Sequence, residues 1–214
     1  MNNNKKNIIL IGGGGHCKSC IEVIESTGLY HIIGILDLPE ELGKKVLNYE
    51  VIGNDADIEK FHQLGFSYVI TAGQIKSAAL RKRIFADLVS IDADIETVIS
   101  PTATVSKYSS VGKGSMIMHH TVINADAILG ENCIVNSASV IEHDVILGDH
   151  VHISTNVIVN GNCKIGSESF VGSACCISNG VEIGNQIVIG AGSLVINDIK
   201  EKGTYVGAPV RKVK

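Results

Sequence analysis

The chain has 214 residues, 45% of them hydrophobic and 19% charged, with a net charge of −4. That length can bury one large core or two small ones, and the absence of a basic field in either half excludes a protein living on nucleic acid or acidic membrane. No run approaches the roughly 20 apolar residues that span a bilayer, and the polar start Met1–Lys6 before the short run Ile8–Ile11 predicts no signal peptide and a cytoplasmic setting.

The first part alternates short β-branched runs with amphipathic segments. Asn7–Ile11 predicts a strand, Gly12–Gly15 a loop, and about His16–Thr27 a helix. Ile32–Leu36 predicts a second strand ending at Asp37, and a turn-rich stretch follows. A short helix near Asp55–Leu64, a strand at Ser67–Thr71, Gly73, and a helix at about Ser77–Leu88 complete the series. Strands alternating with helices predict a parallel sheet with crossover helices, a Rossmann-like α/β domain over residues 1–98.

From residue 99 the period changes. Stepping by six from Val105 meets sixteen aliphatic residues without an insertion, among them Val111, Ile141, Leu147, Ile153 and Val171, and ends at Val195. The next position is often Gly or Asn, and four residues past each aliphatic stands a small or β-branched side chain such as Ser115, Thr121 or Ser139. A six-residue period fits neither an α-helix nor a twisted antiparallel sheet; it is the signature of a parallel β-helix. The aliphatic points inward, and Gly or Asn just after it is expected to supply the positive φ of a tight corner. Three hexapeptides per coil give about five coils and a prism on the order of 25 Å tall.

Six cysteines occur. Cys133, Cys163 and Cys175 share the small-residue phase of the repeat and are expected to be buried thiols. Cys17 and Cys20 form a CxxC without a second pair to complete a zinc set, so a structural role is expected, with redox chemistry the alternative. Gly12–Gly15 follows a strand and opens a helix, the setting for an anion at a helix N-terminus. Cys17 stands where a dinucleotide fingerprint needs its third glycine, and no phosphate-binding loop of the ATPase kind is present.

Four markers, Ile11–His16, Ser139–Asp144, the hexapeptide run and Val206–Pro209, make the chain resemble the hexapeptide-repeat acyltransferases with a small N-terminal nucleotide-sugar domain. That group contains nucleotide-4-amino-sugar N-acetyltransferases and sialic acid O-acetyltransferases. The resemblance implies a left-handed β-helix over residues 99–214, a homotrimer, acetyl-CoA in the groove between neighbouring prisms, and no metal.

Acetyl transfer from a thioester needs a base for the attacking group and donors for the oxyanion. His143 leaves the prism at a corner two residues past Ile141, with Asp144 placed to hold its tautomer. The resemblance implies the same two residues as base and partner, the backbone of Gly161 as oxyanion donor, and His152 as a contact of the acetyl carbonyl. It implies nucleotide-sugar contacts at Gly14, Gly15, His16, Asp37, Gly73 and Arg81, and CoA contacts at Gly172, Ser173, Gly190, Ala191, Arg211 and Lys212. His119, His120 and His150 are expected at a surface or interface. Ser154–Gly161 and Phe170–Ser173 read like the O-acetylating group, whereas His152 favours N-acetylation. O-acetylation of sialic acid, and a non-catalytic trimeric scaffold or sugar-nucleotide sensor, stay as rival readings.

Overall fold

The computed structural model describes residues 5–214. Strand β1 (Lys6–Ile11) passes through helix α1 (Gly15–Thr27) to the parallel β2 (Tyr30–Leu36). Strands β3 (Lys45–Val46) and β4 (Tyr49–Gly53) form an antiparallel hairpin whose second strand extends the sheet beside β2. Helix α2 (Ile58–Gln63) then leads to β5 (Ser67–Ile70) on the far side of β1, and α3 (Ala79–Ser90) follows. The strand order is therefore β3-β4-β2-β1-β5. The hairpin lies where the sequence suggested only turns. Its strands are short and bury little beyond Val46 and Val51, so no alternation marks them.

Side chains alternate across the sheet as the pleat requires. Ile8 and Leu10 pack with Cys17, Cys20, Ile21 and Ile24 of α1, while Ile9 and Ile11 pack with Phe61 of α2 and Ile84, Phe85 and Leu88 of α3. Helix α1 stops at Gly28, whose φ of 68° closes it in the left-handed region. Connections leave β1 toward opposite sides, so a crevice opens at the carboxyl ends of β1 and β5, where Gly12–Gly15 and Gly73 lie.

The remainder is a left-handed parallel β-helix with three flat faces. Partners on each face are 18 residues apart, as in Val122 beside Val140 and Ile134 beside His152. One face has eight strands, from Val98–Ile99 to Arg211–Lys212; the others have six and five. The repeat starts one hexapeptide earlier than the run from Val105 suggested, because Ile99 pairs with Ile117. Inside, Ile117, Val135, Ile141, Ile153, Val171 and their equivalents form one apolar column.

The corner chemistry differs from the sequence expectation. Positive φ falls three residues past the aliphatic, at every sixth residue from Gly114 through Asp144 to Gly192. Glycine directly after the aliphatic answers a different demand. A Cβ on Gly112 would sit 2.4 Å from the backbone of Gly130, and one on Gly148 would sit 2.7 Å from Ser167 N. Coil spacing, not torsion, selects glycine there. The small-residue phase links coils through hydrogen bonds: Ser139 Oγ donates to Ser154 O at 2.6 Å and accepts from Val157 N at 3.1 Å. Cys163 Sγ donates to Ser178 O at 3.0 Å in the same way, so these buried thiols sit in hydroxyl positions.

The two parts are packed together. Val98, Met116 and Met118 of the first coil join the core around α1. Among the described residues no helix is long and apolar enough to cross a membrane.

Candidate active site

A cavity of about 1010 Å³ lies between the N-terminal sheet domain and the eight-stranded face of the prism. Its upper wall is Gly14, Gly15, His16 and the segment Gly73–Lys76; its lower wall includes Asn136, His152, Ser154, Phe170, Gly172, Ser173, Gly190 and Ala191. Two sets of glycine-rich residues, distant in sequence, thus meet across one space.

Each glycine of the first loop has its own reason. Gly12 has φ 102° and a Cβ there would lie 2.7 Å from Ala72 N, whereas a Cβ on Gly13 would meet the Asp37 carboxylate. Gly14 and Gly15 face open space. Gly14 caps α1 without any side-chain hydrogen bond; of the first-turn N–H groups, that of Cys17 donates to Gly14 O at 3.0 Å, which leaves those of Gly15 and His16, both lining the cavity, without a protein partner, a site suited to phosphate. Lower down, Asn136, Ser154, Gly172 and Gly190 all follow an inward aliphatic at 18-residue intervals. That interval is readable in the sequence as one vertical line of the prism.

His152 is 6% exposed and sits edge-on to Phe170, with ring centroids 5.1 Å apart. Burial is the main cause that drives its pKa down to about 4, with His16 and Arg81 adding to it against the Gln74 carbonyl. His16, 6.2 Å away between ring centroids, is likewise pushed to about 4 by burial and then by Arg81. Both are neutral imidazoles near pH 7.

His143 lies elsewhere. It leaves the corner between the six- and five-stranded faces, after Val140–Ile141 and before Ile146–Leu147. Its Nδ1 is 2.7 Å from Asp144 Oδ2, and this hydrogen bond raises its pKa above the ordinary imidazole value. The ring rests on Gly161, where any Cβ would come within 2.6 Å of it. His143 and Asp144 therefore form an exposed pair seated over the buried Gly161, separated from the cavity by a whole side of the triangle, on the order of 15 Å of extended chain.

Four expected ligand contacts fall outside both places. Arg81 is 1% exposed, and its guanidinium donates to the carbonyls of Ile70 and Ala72, each at 2.8 Å, and to Asn132 Oδ1. It ties α3 and the 70–72 backbone to the prism, so its expected ligand contact gives way to a structural one. Asp37 accepts from Gly13 N and Leu38 N at 2.8 Å each and lines a neighbouring cleft of about 250 Å³ with Asn54, Asp55 and Arg83. Lys212 pairs with Glu201, and Arg211 is exposed beside it; Thr204 and Lys214 line the cavity instead. On the antiparallel strand at the C-terminus a shift by two residues changes which cation arrives, and sequence alone had no register for it.

Two further histidines have partners within the chain. His150 is half-buried beside Phe85 and Asn132 at the junction of the two parts, while His119 bonds Ser100 and Thr102. Cys17 and Cys20 are buried free thiols, both pushed upward by desolvation, Cys17 to about 11. Among the described residues no group of three or more His, Cys, Asp or Glu could hold a metal ion.

Residues 7–88 match the family described as PglD N-terminal domain. The acetyltransferase domain of PglB from Neisseria gonorrhoeae, solved in complex with acetyl coenzyme A, superposes with a TM-score of 0.92 at 29% identity, covering 98% of this chain and 100% of that one. PerB from Caulobacter crescentus, in complex with CoA and GDP-perosamine, gives a TM-score of 0.91 at 28% identity over 97% of each chain. WeeI from Acinetobacter baumannii shares the fold, with a TM-score of 0.85 at 19% identity over 98% of this chain and 100% of that one. No curated protein matches the chain in sequence. A hexapeptide prism joined to a PglD-type sheet domain, with a cavity at their junction, is the architecture that this chain shares over nearly its whole length with the acetyltransferases PglB and PerB.

Proposed function

We propose that the protein transfers the acetyl group of acetyl-CoA to the 4-amino group of a nucleotide-linked deoxyamino sugar. The observation that carries this reading is the shared cavity, in which the uncapped N-terminus of α1 faces the glycine-lined wall of the prism. The first wall suits a sugar nucleotide, its diphosphate on the N–H groups at Gly14–His16 and its nucleoside toward Asp37 and the adjoining cleft. The second suits the pantetheine arm along Gly172, Ser173, Gly190 and Ala191, with Lys214 near a CoA phosphate. The similarity to PglB with acetyl-CoA and to PerB with CoA and GDP-perosamine supports both assignments.

In this reading His143 takes a proton from the amine, with Asp144 fixing its Nδ1–H so that Nε2 is free to accept. The amine nitrogen attacks the thioester carbon, the Gly161 N–H stabilises the oxyanion, the C–S bond breaks, and the proton on His143 passes to the departing thiolate. The base stands one prism side away from the cavity of its own chain. A second copy must therefore bring its His143 to this cavity, which supports a homotrimer closed around a threefold axis.

The test is thiol release from acetyl-CoA against UDP-, GDP- and dTDP-linked 4-amino sugars and sialic acids. Release with a 4-amino sugar is expected. Release with sialic acid alone would replace N-acetylation by O-acetylation, and none across the panel would overturn the reading.

A further inference from the structure

The hydrogen-bonding polarity of His152 follows from what surrounds it. Its Nδ1 lies against the backbone carbonyl of Gln74. A carbonyl only accepts, so Nδ1 carries the hydrogen. The other ring nitrogen, Nε2, is buried with no protein partner, and the ring lines the cavity. A neutral imidazole has one N–H, which leaves Nε2 as a bare lone pair. The ionisable groups that act on the ring are His16 and Arg81, and both oppose a second proton, as burial does.

The Gln74 carbonyl is itself held in place. Arg81 clamps the carbonyls of Ile70 and Ala72 just before it. Gln74 Nε2 donates to His150 O at 2.8 Å, and Asn132, bonded to Arg81, also reaches His150. The short segment 72–76 is thus fastened to the prism beside the histidine it orients.

We propose that the Gln74 carbonyl locks His152 as the Nδ1–H tautomer, so that Nε2 accepts a hydrogen bond from an N–H or O–H group of a bound substrate, with Arg81 and Gln74 as positioning residues. A thioester carbonyl, the partner that family resemblance suggested, would meet this nitrogen lone pair to lone pair. The donor is either an amide N–H of the pantetheine arm or an amine or hydroxyl of the sugar. The choice of substrates rests on the proposed function; the tautomer does not.

The test uses the full-length protein with ¹⁵N-labelled histidine and long-range proton–nitrogen spectra, the His152 signals being assigned with His152→Phe. A protonated Nδ1 and bare Nε2 are expected, persisting down to about pH 5. A dominant Nε2–H form, or an imidazolium near pH 7, would overturn the proposal whether or not the enzyme turns over the predicted sugar. Acetyl-CoA and a nucleotide 4-amino sugar are then added separately. A shift of Nε2 with the first identifies a pantetheine amide as donor, and a shift with the second identifies the sugar. Binding of both by calorimetry without movement of Nε2 would refute the acceptor role.

His152→Phe should raise the KM of the ligand that shifts Nε2 about tenfold, the loss of one buried hydrogen bond, with a smaller change in kcat. Arg81→Met should give mixed His152 tautomers while leaving the His143 signals in place, and Arg81→Lys should restore part of the single form. Should Arg81→Met fail to fold, Gln74→Met removes only the tie to His150 and is read the same way. A single Nδ1–H tautomer in every folded variant of this set would remove Arg81 and Gln74 from the positioning role.

Discussion

His143 and His152 are the same side chain tuned in opposite directions, and the surroundings of each decide what it can do. His143 is exposed and hydrogen-bonded to Asp144, which favours its charged form and raises its pKa. A base with a raised pKa is stronger when free but is protonated over more of the neutral range. Activity should therefore fall as pH drops through the raised value. Asp144→Asn should move the acidic limb of the kcat/KM profile to lower pH and lower its plateau; an unmoved limb would separate Asp144 from the base. His143→Ala should reduce kcat by about 10²- to 10⁴-fold, the usual scale of general-base catalysis, with CoA binding retained by calorimetry. Gly161→Ala should weaken catalysis through the same ring, because the added methyl occupies the space on which it rests. The histidine–acid pair was readable from its corner position in the repeat. Arg81 was not: a helical arginine between Leu80 and Lys82 reads as solvated, and only the docking of α3 onto the prism shows it buried.

At the scale of the coil, three repeating positions bear different loads, and substitutions can separate them. Gly180 has φ 73° and open space where a methyl would go, so Gly180→Ala should cost about 1–2 kcal/mol from torsion alone. Gly148 has an ordinary φ, yet its Cβ would strike the Ser167 backbone, so Gly148→Ala should cost more than Gly180→Ala because a coil must move. Ser139→Ala leaves Ser154 O and Val157 N without their bridging hydroxyl and should cost about 1–3 kcal/mol, whereas Cys163→Ser keeps the bridge and should stay within about 1 kcal/mol. Urea midpoints for the four variants check the ranking, and equal losses at Gly180 and Gly148 would refute the division between torsion and coil spacing. The β-helix was legible because one inward aliphatic per six residues is a strict rule with few physical solutions. The same rule does not say which neighbouring position carries the positive φ, since His120, Ala138 and Glu168 adopt it as Gly114 does. Likewise the β3–β4 hairpin left no period to read, because too few of its residues are buried.

For the molecule as a whole, the distance between the two functional clusters is a statement about assembly. His143 belongs to the corner between the six- and five-stranded faces, and the cavity belongs to the eight-stranded face. The folded prism is a stack of hydrogen-bonded coils with a continuous apolar core, so no local motion carries a corner around one side of the triangle. If the base serves the cavity, it comes from another copy, and two differently disabled chains should repair each other. His143→Ala removes the base but leaves the cavity intact. Ser173→Trp fills the cavity from the prism wall but leaves His143 intact. Each variant alone should be inactive. When the two are mixed in equal amounts, unfolded and refolded together, about three quarters of cyclic trimers contain both, and each of these has one junction of three at which an unaltered His143 meets an unaltered cavity. Activity should therefore return to about one quarter of the wild-type value, with sedimentation reporting trimers throughout. Variants mixed without unfolding should stay inactive for as long as subunits do not exchange. A refolded mixture that forms trimers yet stays as inactive as its components would mean that base and cavity act within one chain, and the division of the site between neighbouring prisms would fall.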